Sequence, residues 1–383
     1  MNSGITWRMI TGEYPPQTGG VSDYSRVVAQ GLVAAGDTVH VYAPEFPDSD
    51  SPEDGITINR LPGHFGLRAL VQLSRMRGQR NDDRLLVQYV PHAFGFKAMN
   101  LPFCLWLFAN SRKFGAATVM FHEVQLGILA GHPARYQLID AATRIMASLA
   151  ARSATCIFIA TPRWEPLLRR YVSERPIVWM PVPSTIPVID DRARIADARH
   201  RWSASGRLIG HFGTYSPSIG AMLRPIIPAV LAADSSASML LIGANSHTFR
   251  QLLISENPAL ANRIVATGRL PLDELSLAMS SCEILLQPYP DGVTSRRTSM
   301  MAALAHARAI VTTSGLFTEP LWARSGALVM VEAGDTCAFV SAIKGLLEDP
   351  QRRCRYGNAA KALYANSFDV RHTIAALRGA ACA

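Results

Sequence analysis

Lysine is scarce in this chain, charge of either sign is sparse, and no long apolar run occurs. Only Lys97, Lys113, Lys344 and Lys361 are lysines among 38 basic residues, and the rest are arginine. A GC-rich genome produces such a bias, so the formal charge of +9 counts for less as a functional signal. A basic surface still favours anionic partners such as phosphate esters, nucleic acid or acidic headgroups. The basic residues are spread, however: 18 against 15 acidic over residues 1–190, and 20 against 14 over the rest. No basic and aromatic stripe accompanies them, so a nucleic-acid partner is not expected. Six cysteines (Cys104, Cys156, Cys282, Cys337, Cys354, Cys382) are scattered without a C-x-x-C pair. That excludes a disulfide framework and a zinc ribbon, and fits a reducing cytoplasm. The opening MNSGITWRMITGEY lacks the basic-then-apolar layout of a secretion signal. The most apolar stretch, LPFCLWLFA at 101–109, is half of the roughly 20 residues needed to span a bilayer.

What is present is the composition of a large globular core: 49% hydrophobic and 17% charged residues over 383 positions. At about 100–200 residues per domain, two domains are expected. Apolar runs at 5–10, 38–42, 85–90, 117–121 and 155–160 read as strands. Helical spacing over 21–35 and 136–152 falls between them, and Gly36 supplies a stop. Residues 176–202, with four prolines and then the charged DDRARIADARHRW, carry no strand pattern and read as a linker. A second series of strands follows at 208–212, 239–242, 264–267, 284–287, 309–312 and 327–331. The expected class is α/β, with two doubly wound Rossmann-like domains facing across a cleft. Ligands in such folds bind outside the carboxyl ends of the strands.

Several segments fall at those ends. The loop 12–20 ends in Gly19-Gly20 and leads straight into a helix, where backbone N–H groups and the helix dipole suit a phosphate. A tight turn that binds nothing has the same spacing. His92, and His122 with Glu123, follow two strands. A neutral imidazole there suits a sugar hydroxyl or a proton, and also suits a purely structural loop. Segment 287–313 places Asp291, Gly292, Val293, Thr294, Ser295, Arg296, Arg297 and Ser299 between a strand and a helix. Guanidinium forks beside backbone N–H groups make a diphosphate site, against the alternative of a solvated arginine pair. Residues 65–84 combine Leu67, Leu70, Val71, Leu73 and Met76 with Arg68, Arg75, Arg77 and Arg80. That pattern suits a basic amphipathic helix resting on anionic lipid, or an ordinary helix facing its own core.

At this point the chain resembles the retaining glycosyltransferases of family 4, which have the GT-B architecture. The likeness runs through EYPPQTGGVSDYSRVVAQGLVAAGDTVHVYAP, MFHE, HFGTYSPSIG and TGRLPLDELSLAMSSCEILLQPYPDG. It implies an acceptor-binding domain at 1–190 and a nucleotide-sugar domain at 191–366. The last helix, 367–383 (FDVRHTIAAL within it), would cross back to the first domain. By the same likeness, Gly19 and Gly20 would lie against the donor diphosphate and His122 beside the transferred sugar. Asp291 and the N–H groups up to Ser295 would hold sugar and phosphate, the base would lie near 267–270 with Arg269, and His92 and Glu123 would face the acceptor.

Four positions depart from the family pattern. Asp291 and Ser299 stand where two glutamates eight apart are usual, and Thr214 and Ile219 stand where an arginine and a lysine neutralise the diphosphate. An uncompensated diphosphate in a closed site is expensive. Arg296 and Arg297 are therefore expected to supply the charge from the other loop, with no metal required. The resemblance implies a cytoplasmic, retaining, metal-independent hexosyltransferase with a nucleotide-diphosphate sugar as co-substrate and no resident cofactor. Its acceptor would be a glycan or lipid-linked glycan in polysaccharide or glycolipid assembly, with a peripheral membrane contact through 65–84. The competing reading is a degenerate protein of this fold that binds nucleotide sugar, or a partner enzyme, without turnover.

Overall fold

Parallel strands covered on both faces must be apolar along their whole length, because neither side meets water. Here that rule holds in two separate sheets. The computed structural model describes residues 4–48, 52–76, 83–125, 134–203 and 207–380. It divides into one unit of Met1–Val182 with Val370–Ala383, and a second of Pro183–Asp369.

The first unit contains β1 (Thr6–Thr11), β2 (Thr38–Pro44), β3 (Ile56–Leu61), β4 (Asp83–Tyr89), β5 (Ala116–Phe121), β6 (Cys156–Ile159) and β7 (Ile177–Trp179). They form one parallel sheet in the order β3-β2-β1-β4-β5-β6-β7. All six residues of β5 are buried. The second unit contains β8 (Arg207–Phe212), β9 (Ala237–Ile242), β10 (Ile264–Ala266), β11 (Ile284–Gln287), β12 (Ala309–Ser314) and β13 (Val329–Glu332). Their order is β10-β9-β8-β11-β12-β13, again all parallel, with β9 and β11 wholly buried. In each sheet the order reverses beside the unit's first strand, between β1 and β4 and between β8 and β11. Crevices open at such reversals, because the flanking connections leave toward opposite faces.

The closing helix Val370–Gly379 belongs to the first unit. It packs on helix Gly20–Ala34, where a Cβ on Gly31 would meet Ile374 at 2.8 Å. Arg378 donates to the Ala35 carbonyl at 3.0 Å and lies 3.4 Å from the buried Asp37 carboxylate.

Three expectations are corrected. β3 and β7 are absent from the pattern reading. β3 buries only Leu61 fully, and β7 is a three-residue edge strand with two exposed residues, so neither shows a continuous apolar run. Residues 176–202, expected as a linker without a strand, therefore hold β7 and also helix Arg192–Trp202. That helix is polar nearly all round, burying only Ala198. It is held by its Asp191 cap on the Arg194 N–H (3.0 Å) and by the Arg201–Glu274 ion pair (2.8 Å). Finally, the helix expected within 65–84 is only Leu67–Ser74, and Asp83 and Arg84 begin β4. Arg77 and Arg80 lie outside the described residues. Among the described residues no helix is long and apolar enough to cross a membrane.

Candidate functional site

In the first unit, the β1 loop and the ends of β4 and β5 meet at the reversal point. Helix Gly20–Ala34 starts at Gly19, and its first N–H groups are already used. The Glu13 carboxylate accepts from Val21 N at 3.0 Å and Ser22 N at 3.1 Å. Carboxylates suit this position because four N–H groups there lack helical partners and the dipole is positive. A Cβ on Gly19 would come 2.5 Å from both Glu13 carboxylate oxygens, so the glycine is needed for this close approach. The Gly19–Gly20 segment thus holds an internal anion, a role that its spacing did not distinguish from phosphate binding.

His122, one residue beyond β5, is buried. Its Nε2 lies 2.9 Å from Gln88 Oε1, and the Tyr24 ring meets it edge-on at 4.6 Å. Its carbonyl accepts from Trp164 Nε1 at 3.1 Å. With Nε2 held by Gln88, Nδ1 is the nitrogen left for a ligand. Burial pushes the His122 pKa down to about 3, so the ring is neutral in ordinary buffers. His92 is exposed and pairs with Glu123, Nδ1 to Oε2, at 3.5 Å. The structure therefore brings His92, His122 and Glu123 to one strand-end cluster, with only His122 buried.

In the second unit the β8–β11 ladder stops short. Pairing covers Ile209 and Gly210 against Ile284 and Leu285, and then the strands part. Side chains bridge the gap: His211 Nδ1 lies 2.8 Å from the Leu286 carbonyl, and Gln287 Nε2 donates to the Phe212 carbonyl at 3.1 Å. A carbonyl only accepts, so Nδ1 carries the proton and Nε2 is a lone-pair acceptor. Burial holds the His211 pKa down at about 4. Tyr289 continues the chain, donating to Gln287 Oε1 at 3.1 Å with Ser299 Oγ at 2.9 Å on the same hydroxyl. Ser299 therefore ties helix Thr298–Ala305 to the loop after β11. Arg297, at the start of that helix, lies over the Tyr289 ring at 4.8 Å, half-buried like Arg296.

The loop itself is locked from β12. Val293 N donates to the Thr313 carbonyl at 2.9 Å, and Phe317 N donates to the Asp291 carbonyl at 2.9 Å. Gly292 has φ +87°, and a Cβ there would run into Thr318 and Gly315, so glycine is required. Glu319 completes the lock: its buried carboxylate accepts from Ser295 N at 2.7 Å, Ser295 Oγ at 2.6 Å and Trp322 Nε1 at 2.7 Å. Asp291 itself is exposed at the loop's tip. Thr214 is exposed and Ile219 packs against the core, so neither position carries charge. Arg269 lies exposed two residues after Thr267, whose neighbour Gly268 donates to Ser246 Oγ at 2.9 Å.

Tyr24 Oη, Gln88 Nε2, His211 Nε2 and Thr294 Oγ1 are buried without a hydrogen-bond partner among the described residues. Buried polar atoms are nearly always bonded, so orphans at strand ends mark places where a ligand's hydroxyl or phosphate oxygen fits. Glu13, Tyr24, Gln88, His211, Tyr289 and Glu319 were not singled out from sequence. The only local signal was Glu319 immediately before Pro320, the pattern of a helix start. Among the described residues no group of three or more His, Cys, Asp or Glu is placed to hold a metal ion. Asp48, the first of an Asp-x-Asp triplet at 48–50, is exposed, and residues 49 and 50 lie outside the described set. A pocket of about 420 Å³ lies instead at the amino ends of β5–β7, beside the closing helix, and its mostly apolar lining offers nothing for phosphate.

Three buried histidines make stability acid-sensitive. His122, His211 and His306 are held by burial at about 3, 4 and 4, against 6.5 in an unfolded chain. Between those values the unfolded state binds more protons. Their contribution is complete above pH 6.5 and is lost as pH falls, by up to about 1.4 kcal/mol per pH unit for each. The urea midpoint should therefore drop steadily from pH 6.5 to about 4. A level midpoint across that range would show that these rings are not buried and neutral.

Residues 206–349 match the family model of the glycosyl transferases group 1. By sequence, no curated protein matches the chain. Solved structures match it in fold. Sucrose-phosphate synthase from Thermosynechococcus elongatus is 16% identical with a TM-score of 0.72, over 98% of this chain and 97% of that one. HepE from Anabaena, in complex with UDP, is 13% identical at 0.70, over 98% of both. WaaG, a glycosyltransferase of lipopolysaccharide biosynthesis, is 13% identical at 0.67, over 97% and 98%. These likenesses establish the GT-B fold, with two Rossmann-like halves.

Proposed function

We propose that the protein is a retaining glycosyltransferase that moves a sugar from a nucleotide-diphosphate donor to a hydroxyl acceptor. The observation that carries this reading is the second unit's reversal point. There a loop of fixed backbone (291–297), two arginines and the orphaned His211 and Thr294 lie within the segment that matches the group 1 family model. UDP in the complex of HepE supports a nucleoside diphosphate as the group held there. In this reading Arg296, Arg297 and the N–H and hydroxyl of Thr294 stabilise the departing diphosphate, the N–H groups of Gly292, Val293 and Ser295 being spent on Tyr289, Thr313 and Glu319. Preorganised donors of this kind commonly provide the largest catalytic contribution. Asp291 and neutral His122 orient hydroxyls of the transferred sugar. The departing phosphate takes the acceptor's proton as the new glycosidic bond forms on the same face, so no protein nucleophile or metal is needed. Polysaccharide or glycolipid assembly in the cytoplasm is the proposed setting.

Titration calorimetry against a panel of nucleotide sugars tests the reading, followed by measurement of nucleoside-diphosphate release. Saturable binding with release, and an α-linked product from an α-linked donor, is the expected result. Absence of binding to every donor would overturn it. The second reading, a binder without turnover, is favoured by two observations. Ser299 is spent on Tyr289, and the N–H groups beyond Gly20 are spent on Glu13. Tight binding without release in the presence of lipid-linked acceptors would establish that alternative.

A further inference from the structure

Among the described residues, eight other than glycine have positive φ, and five of these lie in two turns of the first unit. His64 and Phe65 (47° and 63°) follow β3, and Phe96, Lys97 and Ala98 (51°, 53° and 67°) follow β4. Residues with a Cβ avoid this region. One buried amide pins the two turns together. Asn100 Nδ2 donates to the Phe65 carbonyl at 3.2 Å and to the Phe94 carbonyl at 2.7 Å. Its Oδ1 accepts from Phe103 N at 3.0 Å. The turns also touch directly, since a Cβ on Gly95 would come 2.5 Å from His64 Cδ2. Strain held this firmly persists where the surrounding structure uses the result.

The result is a set of side chains delivered to solvent. Phe65 and Ala98 enter the core, but Phe96 is 58% exposed, and His64 and Lys97 are exposed with it. Lys97 has no ion pair or side-chain hydrogen bond among the described residues.

Both turns lie at the carboxyl edge of the first sheet, the edge at which open parallel sheets bind ligands. The loop after β1 reaches the same place, because a Cβ on Gly12 would come 2.4 Å from Ala93. The loop after β5 joins it through the Glu123–His92 pair. At the end of β4 itself, the Gln88 amide nitrogen is buried without a partner among the described residues. Residues 62–76 and 84–122 contain no Asp or Glu, so an anion arriving at Lys97 meets no like charge from either turn.

An exposed aromatic face offers an apolar platform for a sugar ring. Imidazoles and a carboxylate exchange hydrogen bonds with hydroxyls, and an ammonium takes an anion. We propose that this edge binds a sugar residue carrying an anionic group, a uronate or a sugar phosphate. The ring stacks on Phe96, the carboxylate or phosphate meets Lys97, and the hydroxyls meet His64, His92 and Glu123. That this sugar is the acceptor rests on the transferase reading, whereas the site is argued from this edge alone.

Saturation-transfer NMR on the full chain tests it, with methyl glucuronide and glucose 6-phosphate as probes and methyl glucoside as the neutral control. At least one anionic sugar should bind saturably, about tenfold more tightly than the neutral one, and the difference should shrink at high salt. The tighter of the two assigns the anion to a carboxylate or to a phosphate. Phe96→Ala should weaken binding by about fivefold. Lys97→Gln should weaken it by about tenfold, and Lys97→Arg should retain most of it. Lys97→Gly controls for folding, because glycine takes the φ of 53° without strain. It should bind as weakly as the glutamine variant while unfolding no earlier than the parent. Binding of neither anionic sugar, equal binding of methyl glucoside, or undiminished binding by Phe96→Ala and Lys97→Gln would overturn the proposal. Uridine diphosphate, measured alongside, separates the two readings. Its binding without that of either anionic sugar would remove this site and leave the transferase standing, and anionic-sugar binding without it would do the reverse.

Discussion

Glu319→Ala is expected to lower the stability of the second unit by about 3–5 kcal/mol, the largest effect of any single substitution considered. The reason is the number of donors left behind. Ser295 N, Ser295 Oγ and Trp322 Nε1 all point at this one carboxylate, and Ser295 and Trp322 are buried. A buried donor without a partner costs about 1–3 kcal/mol, because water cannot reach it. Glu319 also starts helix Pro320–Ser325, so its loss removes an anion from that helix's positive end. Glu319→Gln keeps the shape and one acceptor, and should recover roughly half of the loss by the same count of bonds. Chemical denaturation of the three proteins measures this directly. Equal stability of the alanine variant and the parent would mean that the loop 291–297 is held by other contacts. Because the loop is the proposed diphosphate site, the glutamine variant should also bind nucleoside diphosphate more weakly while remaining folded.

The second large effect is on binding. If Arg296 and Arg297 replace the cations absent at Thr214 and Ile219, removing both should weaken nucleoside-diphosphate affinity by about a hundredfold or more. A charge-assisted hydrogen bond contributes about 1.5–3 kcal/mol, and two are lost. Arg297→Ala should also release the Tyr289 ring that its guanidinium covers, so Arg297→Lys is the informative control. Lysine keeps the charge but not the planar fork, and partial recovery of affinity would assign the role to charge. Unchanged affinity in the double alanine variant would refute the substitution of one loop's cations by the other's. In that case His211 and Thr294 would have to hold the ligand alone.

The fold was legible because burial on both faces writes itself into the chain as unbroken apolar runs. AATVMF, ASMLLI and ILLQ could be located without reference to any partner. β3 and β7 escaped because edge strands face solvent, and their half-exposed sequences carry no such run. The polar helix Arg192–Trp202 escaped for a similar reason, being held by ion pairs and a cap rather than by an apolar stripe.

The candidate site divides along the same line. Strand-to-loop boundaries placed Gly19, His122 and Asp291 at carboxyl ends from local sequence alone, since those ends follow from the alternation of strands and helices. Which polar groups are already satisfied was decided by contacts between residues distant in sequence: Gln88 with His122, His211 with Leu286, and Glu319 with Ser295. Glu13 is nearer in sequence, but its carboxylate reaches the Val21 N–H only because the loop folds back on the helix start. The outward apolar face of LPFCLWLFAN was likewise invisible as a run of nine apolar letters, because a sequence states which residues avoid water and not which find cover. Composition and periodicity are properties of single segments, and they determined class, strand positions and loop positions. Hydrogen-bond partners and exposed faces are properties of pairs of segments, and only the tertiary structure could decide them.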